Sequence, residues 1–300
     1  IWIGKNKGLL KFVDQIKEFE IFQLNNNNPE SLNNSEIYSL IEDRSGILWI
    51  GTFAGGINKL DPLQYRFEKY TDFPVLPPQR KINIHSVHVD QLNRIWIGTS
   101  SGLLEMSHND PVSRLHDYQI KLHLIDKNIG GIASTRDELF ISCDGIKKMN
   151  NYGKFTNIED IIEEQTEKKI YGFTTSYTDR TGNIWFTTYN GLLKYSPDEK
   201  RYWFFSPKFI GKDGKILYFS SITEDYSGKL WLGTYNSKIF IFDVYSEKFE
   251  QFVPDENDKE LLIFNKIFSV CEPSAGNIFI GTDMGLYSIK PENRKVTRYL

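Results

Sequence analysis

Short stretches in which apolar and polar residues alternate recur along the whole chain, separated by turns rich in Asp, Gly and Asn. That period-two pattern predicts half-buried β-strands. One phrase returns almost unchanged at residues 1–4, 48–52, 95–99, 184–188 and 230–234 (Ile/Leu-Trp-Ile/Leu/Phe-Gly/Thr-Thr), with degenerate copies at 139–142 and 278–282. Its central aromatics are Trp2, Trp49, Trp96, Phe140, Trp185, Trp231 and Phe279, at intervals of 44 to 48 residues. A period in the mid-forties suits one propeller blade and exceeds a leucine-rich repeat.

Each repeat reads as four strands. Strand A is exemplified by residues 37–41, 84–89, 219–222 and 267–270, and an Asp-first turn follows at Asp43, Asp90, Asp179 and Asp225. Such turns are capped by the Asp side chain. Strand B is the Trp phrase, strand C opens on a Gly (Gly8, Gly102, Gly191, Gly285), and strand D carries aromatics three apart, such as Phe67 and Tyr70. No amphipathic helical stretch recurs from unit to unit. The expectation is an all-β, seven-bladed β-propeller of four-stranded antiparallel blades over residues 1–300, with the strand B aromatics filling the space between blades. The first blade lacks its strand A, which is expected just before Ile1 in a longer parent sensor chain; an unfilled edge there is an association hazard.

Composition narrows the function classes. A 14% aromatic and 40% hydrophobic content supports a large core, and a net charge of −3 spread along the chain gives no basic field for nucleic acid. No apolar run is long enough to span a bilayer, so no membrane contact by this region is expected. Cys143 and Cys271 lie in different repeats without metal-ligand spacing and read as buried free thiols. His85 and His88 are three apart on a strand, expected on opposite faces; His108, His116 and His123 read as loop or edge residues. Glu159-Asp160 and Glu163-Glu164 fit a short surface helix. No phosphate loop, nucleophile elbow or zinc signature is present, so no catalytic residue, metal or cofactor is assigned.

The position two past the motif Gly, in the turn between strands B and C, varies from repeat to repeat: Asn6, Phe53, Ser100, Asp144, Tyr189, Tyr235 and Asp283. Aromatic rings can stack on sugar faces, and carboxylates and amides accept hydroxyl hydrogen bonds, so Phe53, Tyr189, Tyr235, Asp144, Asp283 and Asn6 are the candidate ligand-binding residues. Packing of the three aromatics on an adjacent blade is the competing role. The long D-to-A connections at 25–29, 73–78 and 209–218 are a second candidate surface. Trp203, outside the repeat phrase, is expected on an outer strand D, serving domain packing or ligand contact.

The Asp-x-x-Gly-x-(Ile/Leu)-Trp-(Ile/Leu)-Gly-Thr-x-x-Gly-(Leu/Ile) phrases, best matched at residues 43–57 and 90–103, resemble the two-component regulator propeller repeat of hybrid two-component histidine kinases. That resemblance implies a periplasmic sensor region. In similar proteins two propellers in series precede an immunoglobulin-like domain, a membrane helix, a kinase core and often a DNA-binding module, and the signal is a glycan fragment that switches on polysaccharide-use genes. The expected partners are accordingly an oligosaccharide or other small ligand, the adjacent propeller and immunoglobulin-like domain, and a second protomer. A propeller-type lyase or hydrolase and a non-catalytic protein-interaction scaffold are the alternatives.

Overall fold

In the computed structural model of the chain, residues 2–13, 18–61, 66–71, 73–76, 82–107, 118–150, 153–207, 218–235, 238–255, 266–274 and 276–299 are described. Blade one holds β1 (Trp2–Lys5), β2 (Gly8–Val13) and β3 (Glu18–Phe22). Blade two holds β4 (Ile37–Glu42), β5 (Leu48–Thr52), β6 (Gly56–Asp61) and β7 (Arg66–Tyr70). Blade three holds β8 (Ile84–Val89), β9 (Ile95–Thr99), β10 (Gly102–Ser107) and β11 (Gln119–His123). Blade four holds β12 (Gly131–Ser134), β13 (Leu139–Ser142), β14 (Ile146–Met149) and β15 (Phe155–Asn157), and α1 (Glu159–Thr166) follows it. Blade five holds β16 (Ser176–Thr178), β17 (Ile184–Thr188), β18 (Gly191–Ser196) and β19 (Arg201–Phe205). Blade six holds β20 (Phe219–Glu224), β21 (Leu230–Thr234), β22 (Ile239–Asp243) and β23 (Lys248–Gln251). Blade seven holds β24 (Ile267–Ser274), β25 (Asn277–Thr282), β26 (Gly285–Lys290) and β27 (Lys295–Tyr299).

Every sheet runs in chain order as a meander, three-stranded in blade one and four-stranded in the other six among the described residues. The fold is the seven-bladed β-propeller that the repeat count predicts. The chain divides into two compact units, Ile1–Asp144 with Met149–Lys154, and Gly145–Lys148 with Phe155–Leu300.

Within each unit the strand B aromatic packs on the following blade. Trp49 lies among Ile84, Val87, Ile97 and Leu104 of blade three. Trp185 lies among Phe219, Leu232 and Phe240 of blade six, and Trp231 among Ile267, Val270, Ile280 and Tyr287 of blade seven. A blade has two apolar faces, and this stacking is what removes them from water.

The Asp-first turn does more than bend the chain. Asp225 Oδ1 accepts from the backbone N–H of Ser227 (2.8 Å) and Lys229 (3.0 Å), while Oδ2 accepts from Trp231 Nε1 (2.8 Å). Asp43, Asp90 and Asp179 repeat the arrangement, with indole bonds of 2.8, 2.9 and 2.8 Å to Trp49, Trp96 and Trp185. One carboxylate thus fixes the turn and fastens the buried indole. Burial alone would raise the Asp179 carboxyl's pKa, but hydrogen bonds from Trp185, Thr181 and Asn183 outweigh it and hold the group below its ordinary value.

The motif Gly answers to packing. A Cβ added at Gly51 would lie under 3.0 Å from Ser39 Oγ of its own strand A and from Ile84 Cγ2 of the next blade. Gly98 meets Ser86 and Ile129 in the same way, and Gly233 meets Ser221 and Ile267. A methyl group there wedges two blades apart, so Gly98→Ala should cost about 2 kcal/mol and lower the melting temperature by several degrees. An unchanged melting temperature in differential scanning calorimetry would show that the interface has slack. Blade five, which has Thr187 at this position, hydrogen-bonds that hydroxyl to Thr174 Oγ1 at 2.7 Å.

The outer strand β19 is covered where Tyr202 N donates to Gln165 Oε1 of α1 (2.8 Å), which occupies an otherwise open edge donor. Neither cysteine is in a disulfide, and each is partly buried where the sequence suggested full burial. Burial still pushes the Cys271 thiol up to about 12, leaving it protonated and unreactive at neutral pH.

Candidate functional site

The turn between strands B and C is rigid by construction. The motif Thr closes it: Thr52 Oγ1 donates to Gly56 O, Thr99 to Gly102 O and Thr282 to Gly285 O, each at 2.8 Å, and Thr188 to Gly191 O at 2.9 Å. The Gly that opens strand C has positive φ (87° at Gly56, 157° at Gly191), and a Cβ there would collide with a strand D carbonyl, Tyr70 O or Phe205 O. The variable residue is then tied to the approach to strand A of its own blade. Phe53 N donates to Glu36 O (3.0 Å), Ser100 N to Asn83 O (3.1 Å), Tyr189 N to Tyr171 O (3.3 Å), Tyr235 N to Tyr218 O (3.0 Å) and Asp283 N to Lys266 O (3.2 Å).

In the unit that contains blades five to seven, this linkage assembles tyrosines. The Tyr189 ring centroid is 4.5 Å from that of Tyr218 and 6.5 Å from that of Tyr171, the latter edge-on at 87°. Tyr171, Tyr218 and Tyr235 are 53%, 41% and 46% exposed, so three rings remain open to solvent while Tyr189, half-buried, packs between Tyr171 and Tyr218. Gly172 (φ 69°) lies directly beneath the Tyr189 ring, where a Cβ would overlap it. Burial, and then the hydrogen bond with Tyr218, raises the Tyr189 phenol pKa, so it stays a neutral donor and acceptor. Asp283 Oδ1 accepts from Lys266 N at 3.1 Å, which fixes this carboxylate on its own turn.

In the other unit Phe53 is 36% exposed and rests on Tyr38 (5.5 Å), which in turn stacks with His85 (6.3 Å, 27°). Beside it opens a cleft of about 370 Å³ lined by Asn33, Ala54, Gly55, Gly56, Thr71, Phe73 and Ile82. Asn33 is held by Asn58: its Oδ1 accepts from Asn58 Nδ2 (2.8 Å), and its backbone N–H donates to Asn58 Oδ1 (3.0 Å). Ala54 has φ 51°, a left-handed conformation costly for a residue with a Cβ, in a B–C turn one residue longer than those of blades three, five and seven. Asp144 is exposed and accepts from Lys127 Nζ at 2.6 Å; Asn6 is half-buried in the first B–C turn. The described contacts join Tyr189 and Tyr235 to a common partner, Tyr218, and bring none of Phe53, Asp144 and Asn6 together.

Tyr171 and Tyr38 were not singled out from the sequence, and Tyr218 entered only as the last residue of the 209–218 connection. Tyr171 and Tyr218 each supply the carbonyl that the B–C turn N–H reaches, a nearly fixed offset ahead of the variable residue that could have marked them. His85 lies in a β-bulge between Ile84 and Ser86, so strict alternation does not place it relative to His88. His88 instead bonds Ser134 Oγ of blade four at 2.7 Å, and burial depresses its pKa to about 4. His123 ends β11 and bonds Glu105 Oε2 at 2.9 Å. His108 and His116 lie outside the described residues, as do 77–78 and 209–217 of the long connections. The acid pairs lie on α1 as expected. Trp203 is half-buried on β19 with Lys194 and Arg201 each 5.3 Å from its ring, a cation–π arrangement on the outer strand. Among the described residues no group of three or more His, Cys, Asp or Glu could hold a metal ion, and no helix is long and apolar enough to cross a membrane.

Fold and turn chemistry together define a β-propeller built from Asp–Trp clamped repeats. The model of the two-component regulator propeller family matches two segments of the chain, residues 31–54 and 213–236. A relative is Histidine kinase P4 of Formosa agariphila, 28% identical over 187 residues, which cover 58% of this chain and 13% of the relative's length. The chain thus matches a small part of a much longer protein. Among solved structures, a catalytically inactive virginiamycin B lyase from Staphylococcus aureus with quinupristin superposes with TM-score 0.67 at 15% identity, covering 94% of this chain and 88% of that one. The Swd1 β-propeller domain of Myceliophteria thermophila gives 0.63 at 10% identity, covering 98% and 91%. A lyase and a Swd1 domain fit about equally well, so the likeness establishes the fold alone.

Proposed function

We propose that the chain is a non-catalytic, ligand-sensing propeller of a hybrid two-component signalling protein, working on the periplasmic side of the inner membrane and recognising a carbohydrate-derived ligand. The observation that carries this reading is the tyrosine cluster of Tyr171, Tyr189, Tyr218 and Tyr235, presented by backbone-tied turns. Planar rings with hydroxyl edges match a sugar's C–H face and its hydroxyls. The two-component repeats and the histidine kinase relative supply the signalling context. Binding would shift an equilibrium in the parent chain, through an adjacent propeller, an immunoglobulin-like domain or a second protomer, and so control polysaccharide-use genes.

A thermal-shift screen against plant, host and microbial oligosaccharides tests it. A ligand at about a hundred times its Kd stabilises the folded chain by roughly 2.7 kcal/mol, which raises the melting temperature by several degrees. No response to any oligosaccharide, in this chain or in the longer parent, would sink the reading.

A further inference from the structure

Blade two departs from the repeat in its core as well as in its B–C turn. Opposite the third residue of the strand B phrase, strand C carries Leu10, Leu104, Leu193, Phe240 and Tyr287 in five blades, each at most 1% exposed. Blade two places Asn58 there, opposite Ile50 and fully buried. A carboxamide in a slot made for a large apolar side chain is costly unless it is hydrogen-bonded. Asn58 directs its side chain at Asn33: Nδ2 donates to Asn33 Oδ1 (2.8 Å), and Oδ1 accepts from Asn33 N (3.0 Å). Asn33 Nδ2 in turn donates to Gly55 O in the B–C turn. The turn has its own departures. Ala54 takes φ 51° and is held there by Asn83 Oδ1, which accepts from Ala54 N at 3.2 Å. A Cβ on Gly55 would lie 2.7 Å from Thr52 Oγ1 and 2.9 Å from Asn33 Oδ1. A buried amide, a strained alanine and an added glycine therefore meet at one place, the cleft of about 370 Å³. Departures from a fold's local rules gather at functional sites, where binding offsets their cost to stability.

We propose that this cleft is a binding site for a small uncharged ring of monosaccharide size. Its described lining carries no ionisable side chain. Asn33, fixed by Asn58, and the Thr71 hydroxyl offer hydrogen bonds, while Phe73 and Ile82 offer an apolar wall. The volume lies near the lower end of the roughly 300–1,000 Å³ typical of ligand pockets, which suits one sugar ring rather than a chain of them. A carboxylate in such a lining would lose water without gaining a counter-charge. Asn58 is a positioning residue: it touches Asn33, and its burial holds that amide ready before the ligand arrives. All the lining residues belong to the first compact unit, so the site does not depend on what the tyrosine cluster binds.

Saturation-transfer NMR titrations with methyl β-glucopyranoside, N-acetylglucosamine and glucuronate test this on the wild type, Thr71→Trp and Asn58→Leu. At least one of the two neutral sugars should bind the wild type, and glucuronate should not. Thr71 is exposed, so Thr71→Trp fills the mouth of the cleft without touching the Asn33–Asn58 pair and should abolish the signal. Asn58→Leu restores the side chain of the other blades but releases Asn33, and should weaken binding at least about tenfold in a chain that still folds. A purely structural Asn58 would instead lower the melting temperature and leave the affinity unchanged, which overturns the proposal. So does a signal that survives Thr71→Trp, or one that disappears in Tyr189→Ala and thereby places the sugar on the tyrosine cluster. A wild type that binds neither neutral sugar, or binds glucuronate as well, overturns it too.

Discussion

Replacing Asp225 with alanine should destabilise the chain by about 3–4 kcal/mol, the largest single-site effect expected outside the Trp side chains themselves. The change removes an acceptor that two backbone N–H groups, the Ser227 hydroxyl and Trp231 Nε1 all use. Hydrogen bonds to a charged acceptor contribute about 1.5–3 kcal/mol each and are not additive, and a lost turn cap costs about 1 kcal/mol. The heavier loss is Trp231, 1% exposed, whose N–H would be left buried without a partner. The chain contains its own control. Blade four opens the turn with Thr135, whose Oγ1 accepts from Asp137 N (3.2 Å) and Glu138 N (3.0 Å), and its strand B aromatic is Phe140. Blade seven uses Glu272, with Gly276 N on Oε1 at 3.0 Å, and carries Phe279. In these two blades the Asp and the indole N–H are absent together. Trp231→Phe should therefore recover part of the loss in the Asp225→Ala background, a coupling that urea denaturation of the four variants measures directly. Strict additivity would show that carboxylate and indole act separately.

Acid should remove about 3 kcal/mol of stability between about pH 6.5 and 4, and His88 is the reason. The unfolded chain binds a proton on this imidazole near pH 6.5, whereas burial holds the folded group's pKa at about 4, with Asp90 only partly offsetting it. Protons therefore favour the unfolded state across that window. Stability is full above about pH 7, declines as pH falls through about 6.5, and this contribution stops changing below about 4. His85 shifts in the same direction, by burial opposed by bonds to Ile129 and Asn128. Asp179 acts lower: its depressed pKa gives stability that is present above the ordinary carboxyl value and is lost as pH falls through the folded one. His88→Gln keeps a polar group for Ser134 Oγ and has no proton to bind. Denaturant midpoints measured from about pH 7.5 to 4 should fall much less steeply in that variant; parallel curves would exonerate His88.

The repeat was legible because its most constrained residues are also its most recognisable. A tryptophan buried between blades, a glycine squeezed by Ser39 and Ile84, and an aspartate serving turn and indole at once leave few substitutes, so the phrase survives from blade to blade. The sequence pointed to the Asp turn but not to its grip on the indole, since side-chain reach across six residues is a property of the folded turn. The candidate site was legible only in part. Tyr189 and Tyr235 stood out as variable turn positions, but Tyr171 and Tyr218 join them through backbone bonds between a turn and the approach to strand A. The bulges at Tyr38 and His85 escaped because period-two counting assumes an unbroken ladder.

Titration calorimetry of an oligosaccharide that stabilises the chain, against wild type, Tyr189→Ala, Tyr235→Ala and Phe53→Ala, tests the sensing role most directly. Loss of one ring should weaken binding at least about tenfold in Tyr189→Ala and Tyr235→Ala, with folding intact, and leave Phe53→Ala close to wild type. Affinities unchanged in both tyrosine variants would contradict a ligand site on this cluster.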